Sequence, residues 1–208
     1  MDFPGLGSPA WLHVKALYMN PPDRGWRRPR SYHHGNLKEV LLEAARKLIE
    51  EHGAFGFSLT EAARLAGVSP AAPYRHFRDR DELLAAVAAA SYERFADALK
   101  LSWGEGRPNP VEAFERMGRA YLDFARANPA DYIAMFESGI AADAHPVLDQ
   151  AGQRAFSVLR DAAEALVATM PPQGRPPALI PVGPAQGSRV AARSSQTMVV
   201  AVGAAELR

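Results

Sequence analysis

Between Thr60 and Arg80 the chain places Ala71, Ala72, Tyr74, Arg75 and His76 in one short stretch. If that stretch is a helix with Phe77 turned inward, these five side chains share its outer face. A phenol, a guanidinium and an imidazole beside two methyl groups suit the major groove of DNA better than they suit a reaction. The rest of the chain offers little catalytic material. Its six histidines stand at 13, 33, 34, 52, 76 and 145 without an HExxH spacing, and there is no cysteine, so no zinc motif forms. No glycine-rich phosphate loop follows a strand, and neighbouring acids such as Glu50 and Glu51 read as solvated helix faces. The sequence therefore implies a binding protein, not an enzyme, with no metal and no cofactor.

The elements that must present those residues are legible from local signals. Ser58 and Glu61 have capping-box spacing, and Leu59, Ala62, Ala63 and Ala66 recur at i, i+3, i+4 and i+7, which predicts a short helix with one apolar face. Gly67 ends it, Val68 packs into the corner, and Ser69 with Pro70 opens a second helix over about Pro70 to Arg78. Ala63 and Gly67 let the two helices cross closely. Pro73, at the fourth position, removes one intrahelical bond, a disturbance expected to stay within the first turn. A preceding helix carries the stripe Leu37, Val40, Leu41, Ala44, Ala45, Leu48 and Ile49 with Gly53 as its C-terminal cap, and Phe55 and Phe57 are expected to close the small core.

The run YHHGNLKEVLLEAARKLIEEHG followed by LTEAARLAGVSPAAPYRHFRDRDELLAAVA, roughly residues 31 to 90, resembles the DNA-binding domain of tetracycline-repressor-type (TetR family) regulators. The resemblance implies an all-α fold: an N-terminal three-helix helix-turn-helix domain and a C-terminal helical domain for ligand binding and dimerisation. It implies that Tyr74, His76 and Arg80 touch phosphates, while Pro70, Ala71, Ala72 and Arg75 lie nearest the base edges. There the alanines would meet thymine methyls and Arg75 would pair with guanine. Thr60, early in its helix, would add a hydroxyl contact to the backbone, whereas Ser58 serves only as a cap. The implied function is a ligand-responsive repressor acting as a homodimer on a double-stranded, pseudo-palindromic operator.

Four segments follow: a flexible arm over 1–30, the helix-turn-helix domain over 31–80, a helical effector and dimerisation domain over 81–170, and a Pro/Gly-rich tail over 171–208. Arg27, Arg28 and Arg30 in the arm could follow phosphates or a minor groove, and Tyr32 to His34 would lie near the DNA backbone. Residues 1–80 carry 12 basic against 8 acidic side chains, residues 81–170 carry 8 against 14, so the basic end is the motif end. In the body, Asp79 and Glu82 cap a helix running to about Lys100, Asn109 and Pro110 start the next, and amphipathic stretches follow over Asp131 to Ala142 and Pro146 to Thr169. Tyr92, Phe95, Phe114, Met117, Tyr121, Tyr132, Met135 and Phe136 are the candidates to line a largely apolar effector cavity. No stretch is apolar enough to span a membrane, and no leader pattern stands near Met1, so a cytoplasmic protein is expected. The resembled family ends in two long helices paired across a twofold axis. Residues 171–208 lack that periodicity, so an atypical or incomplete C-terminus is expected, with a DNA-binding fragment impaired in dimerisation and regulation as the alternative.

Overall fold

A computed structural model describes residues 37–175, whose regular elements are all helices or helical turns, with no strand among them. The expectations for the arm, for Tyr32 to His34 and for residues 176–208 lie outside the described residues. Helix α1 (Leu37–His52) buries Leu41, Ala44, Ala45, Leu48 and Ile49 of the predicted stripe, leaves Leu37 and Val40 half-buried, and ends where the Gly53 N–H bonds the Ile49 carbonyl at 2.8 Å. Helix α2 (Leu59–Leu65) begins at a reciprocal capping box. The Glu61 N–H donates to Ser58 Oγ at 3.2 Å, and the Ser58 N–H donates back to Glu61 Oε2 at 2.9 Å.

Helix α2 stops in a Schellman motif. The Val68 N–H reaches the Ala63 carbonyl at 3.0 Å and the Gly67 N–H reaches Arg64 at 3.1 Å, with Gly67 at φ 71. Beyond it the expected second helix is not an α-helix: only a 3-10 turn forms, over Pro73–Arg75. The reason is Pro73 itself. Without an N–H it cannot bond the Ser69 carbonyl, which accepts instead from Ala72 at 2.9 Å, so the segment starts one residue too tight to enter α-helical register. Phe77 and Pro73 are nonetheless buried and anchor the turn. Phe55 also departs from expectation: it is 68% exposed, and Phe57 alone of the pair enters the core.

Helix α3 (Arg80–Trp103) is capped by Asp79, whose carboxylate accepts the Glu82 N–H at 2.8 Å; Glu82 reaches past the cap to the Arg78 N–H at 2.6 Å. Its apolar residues point in several directions because α1, α4 (Pro110–Ala127) and α6 (Pro146–Ala168) all pack against it. Ala85, Ala88, Ala89 and Ala96 on α3, with Ala151, Gly152, Ala155 and Ala162 on α6, give buried small-residue faces that permit close helix approach. At the C-terminal end of α3, Arg116 from α4 donates to the Ser102 carbonyl at 2.6 Å and to that of Trp103 at 3.2 Å, satisfying carbonyls the helix leaves open, and to the Arg107 carbonyl in the connection beyond at 2.8 Å. Asn109 caps α4 as expected, accepting the Glu112 N–H at 3.1 Å. The Asp131 to Ala142 stretch is not one helix. It is a short α5 (Pro129–Tyr132) running into a π-helical turn over Ile133–Glu137, followed by a separate 3-10 turn at Ala142–Ala144. Val147, in the first turn of the amphipathic α6, is 71% exposed.

Candidate nucleic-acid interface and ring cluster

The turn between Ser69 and Phe77 is held from beneath and open above. Pro73 and Phe77 sit in the core while Tyr74, 59% exposed, projects outward beside exposed Arg75 and His76. Pro70 and Ala71 are exposed too, and Ala72 is half-buried. Thr60 is exposed in the first turn of α2, where the capping box fixes the helix start. Five of the predicted contact residues, Pro70, Ala71, Tyr74, Arg75 and His76, therefore lie exposed on one short segment, and Thr60 lies exposed at the start of the preceding helix.

Arg80 is different. Its guanidinium carbon stands 5.6 Å from the Phe55 ring centre and 5.8 Å from that of Phe57, and its Nη2 lies 2.9 Å from Asp81. An arginine stacked between two rings keeps its orientation at little entropic cost, but it already has an anionic partner. Arg78, more exposed, pairs with Asp79 at 3.1 Å. The backbone bond from Glu82, then the bond from Arg78, holds the Asp79 carboxyl below its ordinary value; bonds from the Ser58 hydroxyl and N–H do the same for Glu61. Both carboxylates, the Asp79 cap and Glu61 in the first turn behind the Ser58 cap, are therefore anionic at neutral pH and well matched to the helix N-termini beside them.

The predicted cavity residues come together around Phe95. Its ring centre lies 5.1 Å from Tyr121, 5.2 Å from Phe124 and 6.4 Å from Phe136, and Tyr132 meets Phe136 in a tilted contact at 5.0 Å. Tyr92 joins through Phe136 at 5.9 Å and Phe156 at 6.1 Å. Met117 and Met135 are buried, and Phe114 packs against the cluster half-buried. Phe124 and Phe156 are members that the list of candidate lining residues missed, although both fall on apolar stripes of their helices. Burial, with a lesser contribution from Tyr121, drives the Tyr92 phenol well above its ordinary value, so it stays a neutral donor and bonds the Met135 carbonyl at 3.0 Å. That carbonyl belongs to the π-helical turn, whose irregular bonding alters the backbone pattern beside the rings.

One constellation had no visible sign in the sequence. Asp131, 1% exposed, has its Oδ1 3.0 Å from Arg46 Nε and 2.8 Å from Ser91 Oγ, and it also pairs with Arg94. These partners come from α1 and α3.

Among the described residues, a capped helix, a glycine turn and an exposed, anchored turn ahead of a helical body define the helix-turn-helix class of protein. Comparison with known proteins agrees. Residues 41–87 match the family described as bacterial regulatory proteins, tetR family, and residues 114–208 match the tetracyclin repressor-like C-terminal domain, across the stretch of unusual composition. The chain belongs to the tetR family, whose members are DNA-binding transcriptional regulators. A protein of unknown function from Rhodococcus sp. RHA1 is similar at 33% identity and a TM-score of 0.60, with 86% of each chain covered. A protein from Shewanella sp. PV-4, described as a candidate tetR family transcription regulator, is 26% identical with a TM-score of 0.53, covering 64% of this chain and 71% of its own. The HTH-type transcriptional regulator Rv1816 of Mycobacterium tuberculosis is 29% identical over 109 residues, 50% of this chain. That match spans 45% of the relative, so the chain covers about half the length of the curated relatives it matches. Among the described residues no helix is long and apolar enough to cross a membrane.

Proposed function

We propose that residues 31–80 form a sequence-specific DNA reader and residues 81–170 an effector-binding and dimerisation body. Together they would act as a cytoplasmic, ligand-responsive repressor on a pseudo-palindromic operator. The observation that carries this reading is the anchored turn: Pro73 and Phe77 buried below, Tyr74, Arg75 and His76 exposed above. Arg75 is the direct base reader, its fork suited to a guanine edge. Ala71 and Ala72 offer methyl contacts to thymine, with Pro70 beside them. Thr60, Tyr74 and His76 position the protein through phosphates, and Arg80 joins them by exchanging Asp81 for a phosphate oxygen. Having few long base-reading side chains, such a surface relies on the shape and symmetry of its site as well as on hydrogen bonds.

The ring cluster supports the effector half of the reading. A small, largely apolar molecule would enter among Tyr92, Phe95, Phe114, Met117, Tyr121, Tyr132, Met135 and Phe136, displacing ring contacts of similar chemistry. The test is a footprint on a duplex recovered from a random pool by the protein. A twofold-symmetric footprint with half-sites about 34 to 36 Å apart is expected. A single asymmetric half-site would instead mark a DNA-binding chain impaired in dimerisation.

A further inference from the structure

Asp131 is a carboxylate taken almost wholly out of water, and such a group persists only when its partners hold it. Ser91 Oγ stands 2.8 Å from both the carboxylate and the Val87 carbonyl, so its one proton is divided between them. Arg94, on the same helix, supplies one positive charge. The other comes from Arg46 on α1, which is steadied in turn by Glu43 at 2.7 Å. Arg46 is thus a strut from the reader's first helix to the body. A second strut stands nearby: the exposed Phe55 ring comes so close to Gly139 that a Cβ added there would lie 3.3 Å from Phe55 Cζ. Asp131 and Gly139 lie on the same connected segment. Between them, Tyr132, Met135 and Phe136 pack into the ring cluster. One segment therefore meets the reader at both ends and the candidate cavity in its middle.

We infer that Asp131 is a positioning residue which, through Arg46, fixes the angle of the reader on the segment flooring the ring cluster. The inference rests on reading residues 31–80 as the DNA reader. Asp131 makes the angle depend on the segment's position, because a charge pair removed from water has a steep cost for misalignment and Phe55 against Gly139 supplies only van der Waals contact. Any displacement of Tyr132 to Phe136 would move the Asp131 anchor with it.

The chain contains no cysteine, so spin labels can be placed without background. Cysteines at exposed Lys47 and Glu164 report reader against body, and cysteines at exposed Asp97 and Glu164 report the body alone. Labelled protein is diluted into excess unlabelled protein so that one pair is read per particle. Asp131→Asn perturbs three partners at once. Arg46→Gln leaves Ser91 and Arg94 on the carboxylate and is therefore the decisive variant. In Arg46→Gln the 47–164 distance distribution is expected to broaden or split while the 97–164 distribution stays as in the parent. A 47–164 distribution as narrow as the parent's, or equal broadening of both pairs, would overturn the positioning role. No DNA enters the measurement, so failure of the parent chain to bind any duplex would overturn the reader assignment and leave this result standing.

Discussion

Two glycines flank α2 for different physical reasons, and substituting each by alanine separates those reasons. Gly67 has φ 71, and a Cβ added to it meets nothing within 4 Å, so its requirement is conformational. Holding an L-residue in that region costs about 1–2 kcal/mol. Replacing glycine returns about 0.4–1 kcal/mol through the unfolded chain, leaving a net loss of about 1 kcal/mol or slightly less. Gly56 has the opposite problem: a Cβ there would lie 2.3 Å from the His52 carbonyl oxygen and 2.6 Å from His52 Cβ. The first of those atoms is backbone at the end of α1, so relief means bending the connection, at about 2–3 kcal/mol by analogy with overpacked sites. For a chain of 208 residues the two losses correspond to falls in Tm of about 2–4 °C for Gly67→Ala and about two to three times that for Gly56→Ala. Urea and thermal unfolding of both variants, with m-values unchanged, is the assay. Gly67→Asn is expected to recover part of the loss, since asparagine tolerates the left-handed region. A neutral or stabilised Gly67→Ala, or a larger loss there than at Gly56, would refute the assignment of one conformational and one steric glycine.

Three further outcomes are expected. Tyr74→Phe removes the hydroxyl of the exposed Tyr74 and leaves the ring, so binding should weaken on all duplexes without a change in sequence preference; a changed preference by binding-site selection would contradict a phosphate role. Arg116→Ala strips two carbonyls at the end of α3, Ser102 and Trp103, and that of Arg107 in the following connection of their donor, and should cost about 1–3 kcal/mol in urea unfolding. The carboxyls of Asp79 and Glu61 are held below their ordinary values, so the stability they contribute is present above the ordinary carboxylate range and is lost as pH falls through their lowered values. Asp79→Asn keeps a capping oxygen but not the charge, and should flatten that acid-side loss in a series of urea midpoints; an unchanged acid slope would contradict it.

What could be read from sequence was whatever is decided within a few residues. The caps at Ser58, Asp79 and Asn109 each pair residues three apart, and all three form. The same locality gave most of the α1 stripe and most members of the ring cluster, Phe124 and Phe156 excepted, since apolar periodicity reports which face is buried. Pro73 shows where local reasoning stopped short. Its missing N–H was visible, but the outcome depended on the Ser69 carbonyl finding Ala72 three residues on, which turned an expected helix into a single 3-10 turn. Phe55 looked like core because phenylalanine is usually buried; its exposure follows from where the chain turns after Gly53, with Arg80 and Gly139 as neighbours. Asp131 was out of reach altogether. Its partners are 85, 40 and 37 residues away, and a single aspartate after a proline gives no hint that two arginines and a serine will close on it.

In the proposed function the exposed turn of Tyr74, Arg75 and His76 reads DNA, with Arg75 as its base-specific member. Selection from a random duplex pool by the parent chain and by Arg75→Ala tests it most directly, with affinities measured for every single-base change in the selected site. The parent should prefer one base, guanine, at one position per half-site by about 1–3 kcal/mol, and Arg75→Ala should lose that preference while keeping the others. An equal loss of affinity on selected and random duplexes, with every base preference intact, would contradict it.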